Sequence, residues 1–532
     1  MRTILINGKI YVEKSNFQQA IFIENGIIKE VGTNEKILKN NADNIIDLQG
    51  KTVLPGFNDS HMHLLGIGEF MSTCNLTSAK SIDDVIKLGR KFIKDNDNLT
   101  VLKGRGWNQD YFTTGEKRPL TRFDLDKIST EIPIVFTRVC GHVAVGNTKA
   151  LEFLGIDENT TIEGGVIELG YDGKPNGIFN ENAVNLLYSI LPDKDDKLIE
   201  KDFIKAAEYA LSLGITSVQS NDVSDDNYKN IFKIIHNLYD NNKLKLRYYP
   251  QFNFQNVDIF KEYLKTEFIK GLYDGKFLSK GSLKLFKDGS LGARTALMSK
   301  DYKDAPGTKG VEALSDEQLQ ALCDLATENG ITVVTHAIGD AAVESVINAY
   351  EKTMKNGENP LRHGIVHCQI TSMKQLERIS KLNIPVIYQP IFLDYDMQIV
   401  EARVGKELAS TSYAFNTLNK LGAPISFSTD APVEDCNPFP NIYCAVTRQR
   451  LNGEPKGGFI PSEKMSIEDA IDAYTIGSAY NEFKENFKGR LKPGYAADLI
   501  VLDNDIFTVD ESYIKDIKVE KTMIDGEFVF ER

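Results

Sequence analysis

The sequence predicts a (β/α)8, or TIM, barrel. It adds a small β-sandwich built from both termini and an α/β insertion after the first barrel strand. Three observations lead there. Eight short apolar runs read as strands, and each after the first is preceded by helical sequence. Both ends of the chain are rich in strand and hairpin signals. The stretch 65–195, between the first and second runs, is far longer than a connecting loop.

Residues 1–55 alternate apolar runs with turns. Ile4–Ile6, Ala20–Ile23 and Val53–Leu54 are interleaved with Asn7-Gly8 and Asn25-Gly26, and Asn-Gly is the strongest short-range hairpin signal. Residues 487–532 repeat the style in Ala497–Asp503, Val519–Ile524, Asp525-Gly526 and Phe528–Phe530. The two ends together predict one composite sandwich, 1–55 with 487–532, beside a barrel of 56–486.

The barrel strands are expected at Phe57–His63, Ile215–Gln219, Leu246–Pro250, Ser282–Phe286, Ile331–His336, Gly364–His367, Val386–Tyr388 and Pro424–Asp430. The clearest cycle starts at the capping box Ser315-Asp-Glu-Gln318. A helix with Leu319, Leu322, Cys323 and Ala326 on one face follows, Gly330 ends it, and the fifth strand begins. An open doubly wound sheet is the competing fold, but no glycine-rich phosphate turn follows the first strand. Within 65–195, helical sequence at 82–93, a Gly-Arg-Gly-Trp turn at 104–107 and the apolar runs Ile132–Phe136 and Gly164–Glu168 point to an inserted α/β subdomain. A loop that follows a barrel strand lies at the C-terminal mouth, so this insert is expected to roof the site.

Composition narrows the function. Sixty-two basic against 75 acidic residues give a net charge of −13 with no sustained basic run, which argues against nucleic acid or an anionic membrane as partner and favours a small neutral or cationic substrate. The N-terminus enters strand-like sequence without a leader pattern, and no apolar run could span a bilayer, so a cytoplasmic protein is expected. A homodimer stays open. Cys74, Cys140, Cys323, Cys368, Cys436 and Cys444 are scattered without a Cys-x-x-Cys pair, so buried free thiols are expected rather than disulfides or a thiolate zinc site.

The chemistry collects at strand ends. In an extended strand His61 and His63 project to one face, with Asp59 and Phe57 below them and Asp59 expected to accept an imidazole N–H. Strand five ends in His336, strand six in His367 and strand eight in Asp430, while strand four contains Lys284; barrel topology brings these C-terminal ends to one place. Each has a plain structural alternative: a core histidine at His336, a turn cap at Asp430, an ion pair with Asp288 at Lys284. Parity turns Lys284 inward and Lys287 outward, and position selects His367 over His363, which is expected near the barrel floor. An inward lysine near dications favours the neutral amine, which can add carbon dioxide to give a bridging carbamate.

Several segments carry a resemblance. Leu54–His63, Gly141–Asn147, Lys284–Ala296, His336–Asp340, Arg362–Gln369, Ser428–Val433 and Lys492–Leu502 together resemble the amidohydrolase superfamily, particularly its N-substituted formamide deformylase-like (amidohydrolase 3) branch, essentially end to end. The resemblance implies zinc or a similar cation, one or two per chain, held by His61, His63, Lys284 as carbamate, His336, His367 and Asp430, with Asp430 also moving protons. One departure stands out: Val366 precedes His367 where this branch is expected to carry glutamate. The resemblance also makes His142 the best substrate-binding candidate from the insert. Trp107, Arg294 and Glu181 are further substrate-binding candidates, each with a structural alternative in packing or an ion pair.

The activity expected is hydrolysis of a non-peptide C–N bond, in an amide, formamide or cyclic amide, by metal-activated water. Two rivals stay open. One is a mononuclear deaminase of a purine-like ring, without carbamate; the other is a non-catalytic scaffold that retains the fold.

Overall fold

A computed structural model describes the chain except residues 97–98, 139–142, 163–164, 182, 192–194 and 267–274; at Tyr111 and Glu181 it describes the backbone alone. Two compact units result, residues 1–66 with 206–532, and residues 67–205.

The first unit contains an eight-stranded parallel barrel. Its strands, in chain order and in spatial order, are Phe57–Met62, Ile215–Ser224, Arg247–Asn253, Ser282–Phe286, Val333–Ala337, Gly364–His367, Val386–Tyr388 and Ile425–Phe427. Strands one and eight are joined by bonds rather than a regular ladder. Ser60 Oγ donates to Phe427 O (2.6 Å), the Asp430 N–H to His61 O (2.9 Å) and the His63 N–H to Ala431 O (2.8 Å), which nearly closes the barrel. The outer helices bury one stripe each. In Asp316–Glu328, capped by Ser315 and Gln318 as the sequence predicts, the stripe is Leu319, Leu322, Cys323 and Ala326; in Asp340–Thr353 it includes Val343, Val346, Ile347 and Tyr350.

Both termini contribute to one six-stranded sheet, in the order Glu527–Glu531, Val519–Ile524, Leu499–Leu502, Thr52–Pro55, Lys9–Glu13, Asn16–Gln18. A four-stranded sheet of Ile27–Gly32, Ala20–Glu24, Arg2–Ile6 and Asn44–Asp47 shares an apolar cluster with it, including Leu5, Ile10, Ile21, Val53, Leu499 and Val501. Val53 pairs with Ile10 on one side and Val501 on the other.

The second unit is built on a six-stranded mixed sheet running from Gly165–Leu169 to Cys74–Asn75. Trp107 ends its strand Leu102–Trp107. At Gly106, with φ 102°, the register against the next strand shifts, so Trp107 joins Leu102 on the inner face. Its side chain is fully buried among Leu76, Leu102, Phe112 and Phe136. Of the two readings for Trp107, substrate contact and packing, the buried position is the packing one, because the bulge carries the ring into the core.

Among the described residues no helix is long and apolar enough to cross a membrane. Cys74, Cys323, Cys368, Cys436 and Cys444 are buried free thiols; Cys140 lies outside the described residues.

Candidate metal centre

The C-terminal strand ends bring His61, His63, Lys284, His336, His367 and Asp430 to one end of the barrel. Oδ1 of Asp430 lies 3.4 Å from Nε2 of His61 and 3.3 Å from Nε2 of His63, and one donor atom from each of the three falls within 4.8 Å of the others. The His336 and His367 rings meet edge to face with centroids 4.3 Å apart, and His61 and His367 lie 6.0 Å apart.

Outer hydrogen bonds fix which nitrogen each imidazole presents. Gln251 donates its amide N–H to Ser60 O (3.0 Å), which turns its Oε1 to His61 Nδ1 at 2.5 Å. Gln389 donates to Ser428 Oγ (2.7 Å) and Ile387 O (3.1 Å), and its Oε1 meets His367 Nδ1 at 2.7 Å. His63 Nδ1 lies 2.8 Å from Asn221 O. All three therefore carry a proton on Nδ1; His61 and His367 present the Nε2 lone pair, and His63 does so in its neutral form. His336 is the reverse: Nε2 bonds Gly289 O at 3.1 Å, leaving Nδ1 as its free nitrogen.

Burial sets the protonation. It pushes His336 down to about 3, helped by the charge on Lys284, and holds His61 and His367 well below the usual histidine range. Neutral imidazole is the ligating form. Burial opposes protonation at His63 too, but the hydrogen bond and charge of Asp430 outweigh it and raise its pKa. Lys284 is completely buried. Its Nζ lies 3.5 Å from the centre of the Phe286 ring, and burial, opposed by Asp430 and Asp288, brings it down to about 7.

The backbone is unusual at the same place. His367, Cys368 and Asp430 have φ of 78°, 49° and 57°, the left-handed region that residues with a Cβ seldom adopt.

The neighbours sort out the remaining residues. Lys287 points outward to Leu314 O (2.7 Å), Glu312 (2.5 Å) and Asp316 (2.6 Å). His363 is structural, bonding Thr327 Oγ1 and accepting the Val333 N–H, each at 3.0 Å. Among the described residues Asp59 accepts no imidazole N–H. It takes the backbone N–H of His61 (3.2 Å) and the N–H and Oγ1 of Thr429 (3.1 and 2.6 Å), so the orienting role falls to Gln251, which sequence reading missed. Asp288, rather than pairing with Lys284, accepts the N–H groups of Leu297, Ile338 and Gly339 at 2.8–3.0 Å and lies 3.4 Å from His336 Nε2. Arg294 forms a two-pronged ion pair with Asp304 (2.9 and 3.2 Å), the structural alternative for that residue. Glu181 ends the strand Pro175–Glu181, and His142 lies outside the described residues.

The pattern of the amidohydrolase family matches residues 44–530. The chain belongs to that family. YtcJ of Bacillus subtilis (strain 168), a protein that carries an amidohydrolase name, is 32% identical over 544 residues, covering 100% of both chains. The N-substituted formamide deformylase of Arthrobacter pascens is 23% identical, covering 100% of this chain and 99% of its own. An uncharacterized metal-dependent hydrolase from Pyrococcus furiosus superposes with a TM-score of 0.77 at 30% identity, covering 96% of this chain and all of its own.

The donor set of this amidohydrolase fits a divalent cation. With metal–ligand bonds of about 2.1 Å, the edge of a tetrahedral site is about 3.4 Å. The spacings from Asp430 Oδ1 to the two Nε2 atoms, 3.4 and 3.3 Å, match that edge.

Proposed function

We propose that the protein hydrolyses a non-peptide C–N bond, in an amide, formamide or cyclic amide of a small molecule, with one or two divalent cations, zinc first among them. The observation that carries this reading is the convergence of Nε2 of His61 and His63 on Asp430 Oδ1, with His336 and His367 adjacent and their protons committed elsewhere. His61, His63, His336, His367 and Asp430 would hold the cation or cations, joined by Lys284 once its amine adds carbon dioxide and loses a proton to become a carbamate. A cation bound there supplies Lewis acidity and brings the pKa of water towards ~7.

The chain's own residues supply the rest. Asp430 Oδ1 accepts a proton from the attacking water and returns it to the leaving nitrogen. Gln251 and Gln389 keep the imidazoles in one tautomer and one orientation, so the donors need no reorganisation. The pKa of about 7 at Lys284 makes its amine available for carbamate formation near neutral pH. The formamide deformylase relative lends support for the bond type.

Metal analysis of the purified chain, coupled to a hydrolysis screen of N-formyl, N-acyl and cyclic amides, tests this reading. One or two equivalents of metal, hydrolysis of at least one class, its loss in His61→Ala and a 13C-carbamate signal after labelled bicarbonate are the expected results. A metal-replete preparation that binds no metal, or a confirmed hydrolysis that His61→Ala leaves intact, overturns it. One metal without carbamate, together with ammonia release from a purine-like ring, would establish the deaminase instead.

A further inference from the structure

Hydrolysis does not account for a second feature at the same end of the barrel. A cavity of about 240 Å3 is lined by, among others, Ser290, Gln369, Phe392, Tyr395, Asp396 and Glu434, from the segments after barrel strands four, six, seven and eight. It adjoins the histidines directly, because the Phe392 ring stacks on His367 with centroids 6.0 Å apart and planes 14° apart.

Three properties of the walls point to one kind of ligand. The titratable lining groups are of one type: Asp396 and Glu434 are the only acids or bases that line the cavity, and burial, with the charges of Asp394 and Asp435, pushes the Glu434 carboxyl up to about 7, a cost that a cationic ligand group would offset. Asp396 is buried and accepts the Tyr413 hydroxyl, and Arg403, which lowers its pKa, is itself engaged by Asp304; among the described residues Glu434 has no ion-pair partner. Phe392 and Tyr395 add aromatic surface, and Tyr395 is 58% exposed. Gln369, by contrast, is only 2% exposed, and its Oε1 is buried with no hydrogen-bond partner among the described residues. A buried acceptor without a donor carries an unrelieved desolvation penalty, which a ligand N–H would remove.

We propose that this cavity is a specificity subsite for substrates whose small substituent ends in a protonated amine. The ammonium faces Glu434 and Asp396, its stem lies against Phe392 and Tyr395, and a ligand N–H is accepted by Gln369 Oε1. An anionic substituent would meet two carboxylates, and a purely apolar one would leave Gln369 unpaired. The inference rests on the hydrolytic reading of the adjoining centre only for where the scissile bond sits.

Calorimetric titration of the metal-replete full chain with phenethylammonium and with 2-phenylethanol, its neutral counterpart, tests the subsite without turnover. The ammonium should bind about fivefold to tenfold more tightly, from ion pairing at a partly exposed rim and contact with aromatic faces. Glu434→Gln should bring the two within about twofold, and Glu434→Lys should reverse the preference; both variants change an exposed side chain and should keep the thermal midpoint. Equal binding of the two probes by the wild type, or a preference that both variants preserve, overturns the proposal. The two proposals fail separately. Ammonium preference lost in Glu434→Gln with no amide cleaved would sink the hydrolytic reading alone. Amide hydrolysis that is equally efficient for cationic and neutral substituents, with no binding preference, would sink this one alone.

Discussion

Gln251 Oε1 lies 2.5 Å from Nδ1 of His61, although the two residues stand 190 positions apart in the chain. Because the other end of the Gln251 amide is tied to Ser60 O, its oxygen cannot be exchanged for its nitrogen without losing a bond, and His61 is held with Nε2 free. Gln251→Leu should keep the barrel folded but weaken metal affinity by about 10-fold to 100-fold, the usual effect of removing a partner behind a ligand. Competition against a chromophoric chelator measures this, and unchanged affinity would remove Gln251 from the site.

Asp430 is proposed to carry the proton to the leaving group. Asp430→Asn should lower kcat on any confirmed substrate by about 10²-fold to 10⁴-fold, the range for losing a general acid–base. Its thermal midpoint should stay near that of the wild type. A variant retaining more than a tenth of kcat would give the proton transfer to another group.

Trp107 fills the core of the second unit. Trp107→Ala should destabilise that unit by about 3–5 kcal/mol, the range for truncating a buried large aromatic residue, and Trp107→Phe should recover most of the loss. Urea titration followed by limited proteolysis reads this out. If Trp107→Phe instead raised KM sharply at unchanged stability, the ring would belong to a substrate site after all.

Arg247 and Asp498 form a buried pair, each side chain 4% exposed, with bonds of 2.6 and 2.9 Å. Burial works to raise the Asp498 pKa, but the Arg247 guanidinium outweighs it and holds the carboxyl below its usual value. A depressed folded pKa contributes stability that is complete above the unfolded value near ~3.9 and is lost as pH falls through the folded one. Asp498→Asn should therefore cost about 3–5 kcal/mol at neutral pH by leaving a buried cation unpaired. The gap to wild type should close in acid. Denaturant titrations across pH check both halves, and a gap that persists below the folded pKa would assign the effect to packing.

The sequence revealed the barrel because strand–helix alternation and capping boxes such as Ser315–Gln318 are local signals. His336 and His367 follow from topology, since the end of a parallel barrel strand has one destination. What stayed hidden depended on contacts between distant segments. Gln251 lies within the strand Arg247–Asn253 and Gln389 just past Val386–Tyr388, and nothing in either glutamine's sequence neighbours shows that its amide meets an imidazole. Asp59 has the face that alternation gives it, but its carboxylate reaches Thr429 and the His61 backbone N–H instead of a ring nitrogen. Alternation alone leaves both readings of Trp107 open, because a single extra residue at Gly106 exchanges the faces of its strand.

The central position of strand Thr52–Pro55, between Lys9–Glu13 and Leu499–Leu502, has a consequence for biosynthesis. On the ribosome, one edge of that strand can pair almost at once, whereas the partner for its other edge emerges more than 440 residues later. At about 5–20 residues per second, an apolar strand edge waits roughly 20–90 s for its cover. During that interval it is a template for pairing with another nascent chain. The hypothesis is that chaperone occupancy on these polysomes rises once Thr52–Pro55 has emerged and falls only after Leu499–Leu502 has emerged. Occupancy profiles that fall as soon as the barrel strands are complete would contradict it.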